Sequence, residues 1–157
     1  MLEHNSTLNG KKEQRKQNVF PDGTPISEWF LQTKVVHPDS LGKKYDLSDY
    51  GIESNPHIVQ TQKIQKIIDE AAANGGGVIY IPEGIYKSGS LFFKQGTHLY
   101  LSKGATLLGS ENIMDFPLLM TRIEGEYCKY FGALINADGL DTFTISGKGT
   151  IDGNGTP

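Results

Sequence analysis

Two hydrophobic periods divide the chain. Over residues 61–74 apolar side chains recur at three- and four-residue steps, with Ile64, Ile67, Ile68, Ala71 and Ala72 on one stripe. That spacing predicts an amphipathic helix with one buried face. Thr61 is the expected N-cap, because its hydroxyl can accept from free backbone N–H groups of the first turn. Ile64 stands where a capping box would need Glu or Gln. Asn74, Gly75, Gly76 and Gly77 are expected to stop the helix, since Asn or Gly enters the left-handed region at low steric cost. The glycines follow the helix instead of preceding it, so they offer no helix N-terminus to a phosphate.

After the glycines the period changes to two. Short runs predict strands over 78–81, 85–86, 91–93, 98–101 and 106–108, divided by turns at Pro82-Glu83-Gly84, Ser88-Gly89, Gln95-Gly96 and Lys103-Gly104. In the run 98–101, Leu99 and Leu101 share one face and His98 and Tyr100 the other. Residues 78–81 recur at 99–101, a step of about twenty residues that suits one turn of a β-solenoid. Residues 111–131 break the rhythm and are expected to leave the body as a loop. Strands resume over 133–136, 143–146 and 149–152. The picture is an all-β fold, a β-helix with a capping helix in front, because a bare solenoid end would expose apolar side chains and unpaired strand edges.

Residues 1–18 are polar without a period, which reads as a disordered arm. Residues 20–50 mix turn formers with isolated aromatics, among them Trp29 and Phe30. They are expected to drape over the domain without regular structure. The organisation expected is therefore 1–45 as arm and irregular extension, and 46–157 as cap helix and first coils, incomplete at the C-terminus.

Composition adds limits. The chain has 157 residues and a net charge of -3, which argues against reliance on nucleic acid or acidic lipid. Nineteen glycines exceed the usual ~7% and fit many tight turns. No run of eighteen apolar residues occurs, so no membrane-spanning helix is expected. Cys128 is the single cysteine; it excludes an intramolecular disulfide and a cysteine-based metal site, and it is expected to be buried and inert rather than a reactive thiol. Residues 1–17 carry Lys11, Lys12, Arg15 and Lys16 without a following apolar stretch, so they do not read as a secretory leader. Asn5-Ser6-Thr7 spells a glycosylation sequon.

The strongest pattern is the sequence of motifs. Residues 64–73 (Ile-Gln-Lys-Ile-Ile-Asp-Glu-Ala-Ala-Ala), then 75–86 (Gly-Gly-Gly-Val-Ile-Tyr-Ile-Pro-Glu-Gly-Ile-Tyr), Ser88-Gly89-Ser90-Leu91, Leu99-Tyr100-Leu101, 104–110, 133–137, and 145–155 ending in Gly149-Thr150-Ile151-Asp152-Gly153-Asn154-Gly155 together resemble the N-terminal part of a polygalacturonase-type glycosidase, glycoside hydrolase family 28. The resemblance covers residues 46–157. It implies a right-handed parallel β-helix capped by its first helix, and hydrolysis of galacturonic-acid-containing pectic polysaccharide with inversion. Inversion needs two sets of carboxylates about 6.5–9.5 Å apart, leaving room for a water. The family supplies them from an Asn-x-Asp and an Asp-Asp pair, followed by His-Gly and an Arg-x-Lys that holds the substrate carboxylate, all expected after the Ile151-Asp152-Gly153-Asn154-Gly155 segment.

The chain has no Asp-Asp, His-Gly or Arg-x-Lys. Asn136-Ala137-Asp138 spells Asn-x-Asp, but it precedes the expected place and sits with Asp141 in a turn-forming stretch where Asn and Asp bond their own backbone. Asp152 is expected to fix the turn of its rung instead of serving as a catalytic carboxylate. His98 is expected as an exposed strand histidine, with sugar contact as the alternative. Trp29, Tyr80, Tyr86 and Tyr100 suit packing of the extension and helix, or a stacking platform for pyranose rings. Lys94 and Arg122 read as solvated surface, or as partners of a polyanion. No catalytic, cofactor-binding or metal residue is assigned, and no cofactor is expected.

The function expected is that of a fragment of a pectic hydrolase, inactive alone because its catalytic carboxylates lie beyond residue 157. Its partner would be pectic polysaccharide in the complete protein, with end-to-end self-association through an open last coil. Two alternatives differ in class: a non-catalytic polysaccharide-binding or assembly protein, and a polysaccharide lyase fragment, for which the sequence offers no clustered carboxylates for Ca²⁺. Location stays open, because pectic substrates lie outside the cytoplasm and no leader is evident.

Overall fold

A computed structural model describes residues 19–27, 30 and 36–155. The expected arm, the sequon and Trp29 lie outside the described residues. The chain divides into two units, residues 1–34 and 35–157. In the first, Val19 bridges Pro25 in antiparallel fashion around a turn closed by the Gly23 N–H on the Phe20 carbonyl at 2.9 Å. Asp22 Oδ1 accepts from the Thr24 N–H at 2.9 Å, which is the local bonding that makes Pro-Asp-Gly a turn former.

In the second unit, β1 (Lys44–Asp46) and β2 (Asn55–Val59) precede α1 (Thr61–Ala73). Then come β3 (Gly77–Ile81), β4 (Gly84–Ser88), β5 (Leu91–Phe92), β6 (Thr97–Leu101) and β7 (Ala105–Gly109). The chain continues through β8 (Leu118–Ile123), β9 (Glu126–Phe131), β10 (Ile135–Asn136), β11 (Ile145–Gly147) and β12 (Thr150–Asp152). Three sheets are built by stacking: β1-β3-β6-β11, β12-β7-β4-β2 and β10-β5. Every ladder in them is parallel. The described residues are thus mostly strands in parallel sheets with one α-helix.

Register explains the core. Val78 pairs with His98 and Ile79 with Leu99, the twenty-residue recurrence seen in the sequence. Tyr45, Ile79, Leu99 and Ile145 form one inward column, and Tyr86, Leu107 and Ile151 another. Ile79, Ile81, Leu91, Leu99 and Leu107 are wholly buried, each worth about 1.5–3 kcal/mol against exposure.

The α1 stripe is also buried at Ile64, Ile67, Ile68 and Ala71, packed against β3, β5 and β6. Its start differs from the expectation. Gln60 occupies the cap position without a side-chain capping bond, because its amide donates to the Glu53 carbonyl at 2.9 Å. Thr61 is the first helical residue, and its Oγ1 accepts from the Gly89 N–H at 2.7 Å. The hydroxyl thus ties the helix to the strand corner instead of capping it. At the other end Asn74 keeps φ at -93 and Gly75 takes φ +90. The Gly76 N–H reaches the Ala71 carbonyl at 2.8 Å and the Gly75 N–H that of Ala72 at 3.2 Å, a Schellman ending. A Cβ on Gly76 would collide with the Gly96 carbonyl oxygen, so this glycine also lets two turns approach.

Two segments expected to be irregular are ordered. Lys44–Asp46 forms β1 on β3, because Tyr45 points inward and is buried. Ahead of it a 3₁₀ turn, Pro38–Leu41, buries Pro38 and packs against β1 and β3. The interruption at 111–131 is largely an antiparallel hairpin, β8 on β9, from Leu118↔Phe131 to Ile123↔Glu126. It leaves the parallel stack between β7 and β10, and the Gly132 N–H to the Pro117 carbonyl, 2.8 Å, closes its base.

Candidate functional site

A concave site lies where the hairpin meets the two-stranded sheet of β5 and β10. β5 and β10 pair with Leu91 opposite Ile135 and Phe92 opposite Asn136. Leu91 belongs to the core, so strand alternation turns Phe92 and Asn136 outward. The hairpin rises beside them. Leu119, Thr121 and Ile123 from β8, Tyr130 and Phe131 from β9, and Asp138 beyond β10 complete a groove of ≈ 760 Å³.

Asn136 is spoken for. Its Nδ2 donates to the Leu91 carbonyl at 3.1 Å and to the Ala133 carbonyl at 2.7 Å, while its Oδ1 accepts from the Ala133 N–H at 3.1 Å. The amide therefore stitches β10 to β5 and closes its own turn. Asp138 is exposed at the groove's edge. Asp141 offers its backbone N–H to Gln95 Oε1 at 3.2 Å and is not among the groove's lining residues. The groove thus brings together Asn136 and Asp138 of the sequence candidates.

Asp152 accepts the Asn154 N–H on Oδ1 at 2.8 Å, while Asn154 sits at φ +52 and donates from Nδ2 to the Gly109 carbonyl at 3.0 Å. That is turn bonding of the kind expected of its rung. Nearby, Lys87 Nζ contacts both Glu111 oxygens, at 3.1 and 2.8 Å. The Lys87 hydrogen bond holds the Glu111 carboxyl below its usual range. Lys87 is 8% exposed and Glu111 61%, so a buried ammonium is satisfied by a carboxylate at the surface.

His98 is half-buried, not exposed as the alternation suggested. Its Nδ1 is inaccessible and lacks a hydrogen-bond partner. Burial pushes its pKa below the ordinary 6.5. Tyr80 and Tyr100 stack with centroids 5.5 Å apart and planes within 8°, and Lys44 Nζ lies 4.6 Å from the Tyr80 centroid. Tyr80 thus has a ring on one face and a cation on the other, and Tyr100 has one face covered by Tyr80, which favours packing over a sugar platform. Tyr86 is in the core.

Lys94 is not simply solvated: it pairs with Asp69 at 2.8 Å, and that hydrogen bond, with one from Gln65, lowers the Asp69 pKa. Arg122 Nε donates to the Gly125 carbonyl at 3.1 Å and its guanidinium faces Tyr127, bracing the hairpin tip. Cys128 is half-exposed on β9 opposite Thr121; it is not buried, because it belongs to the projecting hairpin and not to the stack. Among the described residues no three His, Cys, Asp or Glu side chains group to hold a metal ion, and no helix is long and apolar enough to cross a membrane.

Sequence reasoning missed the groove walls Phe92, Leu119 and Tyr130. A signal existed: two runs of six residues, 118–123 and 126–131, flank Glu124-Gly125, and such runs around a glycine turn mark a hairpin.

Parallel ladders stacked at a short repeat define a β-helix-type scaffold. No family profile matches the chain. The exo-poly-alpha-D-galacturonosidase of Dickeya chrysanthemi is 33% identical over 147 residues, which are 88% of this chain and 24% of that protein. The plasmin and fibronectin-binding protein A of Streptococcus pneumoniae is 33% identical over 129 residues, 80% of this chain and 17% of that one. Among solved structures, the Family 28 exopolygalacturonase of Yersinia enterocolitica superposes with a TM-score of 0.64 at 34% identity, covering 72% of this chain and 21% of that one. The chain therefore spans about a quarter or less of the length of these proteins. These likenesses put the chain among the polygalacturonase-like proteins of glycoside hydrolase family 28.

Proposed function

We propose that these residues form the first coils of a right-handed parallel β-helix, capped at one end by α1, in an inverting hydrolase of galacturonic-acid-containing pectic polysaccharide. In this reading the domain begins ahead of residue 46 and takes in the Pro38–Leu41 turn and β1. The observation that carries it is the set of in-register parallel ladders in a chain 34% identical to the Family 28 exopolygalacturonase on which it superposes. The chain contributes scaffold and a groove wall; the proton donor and the carboxylates that activate water come from further coils. Asn136, Asp138 and Asp152 take no catalytic part, since Asn136 and Asp152 are engaged in turn bonding and Asp138 has no second carboxylate beside it among the groove's lining residues.

β11 and β12 are edge strands of their sheets, with Ile145 and Ile151 exposed. In the 157-residue chain taken alone these edges offer unpaired backbone groups, and end-to-end association through them belongs to the same proposal. A sedimentation coefficient independent of concentration would count against it. The central test is incubation of the 157-residue chain with polygalacturonate. The expected outcome is binding without new reducing ends; release of reducing sugar overturns the non-catalytic assignment, and an unsaturated, ultraviolet-absorbing product favours a lyase. A second reading, a non-catalytic binding protein, is favoured by the likeness to a plasmin and fibronectin-binding protein. Retained affinity for a protein ligand with none for pectin would select it.

A further inference from the structure

We propose that the groove between the β8–β9 hairpin and the β5/β10 sheet receives methyl-esterified, uncharged pectic sugar and discriminates against free galacturonate. This deepens the pectic reading and rests on it. The lining includes Phe92, Leu119, Met120, Ile123, Tyr130 and Phe131, its side-chain hydroxyls are the neutral ones of Thr121 and Tyr130, and Asp138 is the single charged side chain among the described residues that line it. A carboxylate entering here finds no cation.

Donors are scarce as well. Both Asn136 amide protons are used within the fold. Of the basic side chains next to the lining in sequence, Lys94 is engaged on Asp69, Arg122 on the Gly125 carbonyl and the Tyr127 ring, and Lys129 stands opposite Met120, one position along from the Leu119–Tyr130 pair and so on the other face of the hairpin. An anion brought into such a place exchanges hydration for two neutral hydroxyls and no cation and meets the like charge of Asp138. Esterification removes both penalties: it deletes the charge and adds a methyl group, while the C–H faces of the pyranose pack on Tyr130 and Phe92.

The test is calorimetric titration of the 157-residue chain with oligogalacturonides of equal length, one fully methyl-esterified and one unesterified, with a neutral galactan oligomer as third ligand. The esterified oligomer is expected to bind at least about tenfold more tightly than the unesterified one, about 1.4 kcal/mol. Asp138→Asn, at an exposed position, is expected to narrow that ratio by strengthening the unesterified ligand. Tyr130→Ser is expected to weaken the esterified ligand about tenfold, with an unchanged far-ultraviolet dichroism spectrum. Equal or tighter binding of the unesterified oligomer overturns the inference and leaves the pectic reading intact. Galactan binding as tight as the ester, or no binding of either pectic oligomer, overturns both. A change in sedimentation of Tyr130→Ser without any change in glycan affinity overturns the inference in favour of a second copy in the groove.

Discussion

Strands β3 and β8 each carry four large apolar side chains and are opposite in place. Val78, Ile79 and Ile81 of β3 are fully buried, whereas Leu118 and Met120 of β8 are 57% and 64% exposed. β3 has a strand on each side, β1 and β6, and a helix packed on it. β8 has one partner, β9. The contrast teaches that burial here follows from stacking in register and not from the apolar content of a run. It also separates two kinds of residue: those that hold the molecule together, and those that shape a surface at little cost to stability.

The contrast breaks most visibly at Leu99. Truncation to Ala deletes a side chain held between Ile79 and Ile145 and should cost about 2–5 kcal/mol, read as a lower urea midpoint. A loss below about 1 kcal/mol would mean the column is loosely packed. Next is Asn136→Ala, at the boundary of the two regions. It leaves the Leu91 and Ala133 carbonyls and the Ala133 N–H without their side-chain partner, an expected loss of about 1–3 kcal/mol. Faster amide exchange confined to residues 133–138 would place the effect in the turn.

A smaller effect concerns pH. Burial lowers the His98 pKa from 6.5, so the folded state holds the neutral ring more strongly than the unfolded chain does. The contribution is fully present above the unfolded pKa and is lost as pH falls from there through the folded value. His98→Gln should flatten that part of the stability–pH curve; an unchanged slope would assign it to other groups. The smallest effect is expected at Tyr127→Ser on the hairpin, 77% exposed, within about 0.5 kcal/mol. A larger loss would show that the outer hairpin face is covered in solution.

α1 and the strands from 77 to 109 were legible because a single period governs each and glycines punctuate them. Cap identity was not, since Gln60 and Thr61 both hydrogen-bond to distant backbone, at Glu53 and Gly89, and those partners are fixed only by the fold. β1 was hidden because a three-residue strand shows no period, and Tyr45 is inward only once β3 lies beside it. His98 looked exposed because alternation tells which face a residue takes but not what covers that face. The motifs at 75–86 and 149–155 carried the family resemblance. The groove escaped notice because its walls come from β5, β8, β9 and β10, which are brought together by a pairing across more than forty residues.

The closed base of the hairpin has a consequence for how such proteins diversify. Because the chain departs at Pro117 and returns at Gly132, joined by one backbone bond of 2.8 Å, the two ends of the insertion are adjacent. Ile135 still falls opposite Leu91 whatever lies between. Loop-closure entropy grows only slowly with length, so this point accepts segments of many sizes. It is a natural socket, where a new ligand specificity can be exchanged as a cassette while the stack beneath keeps its register.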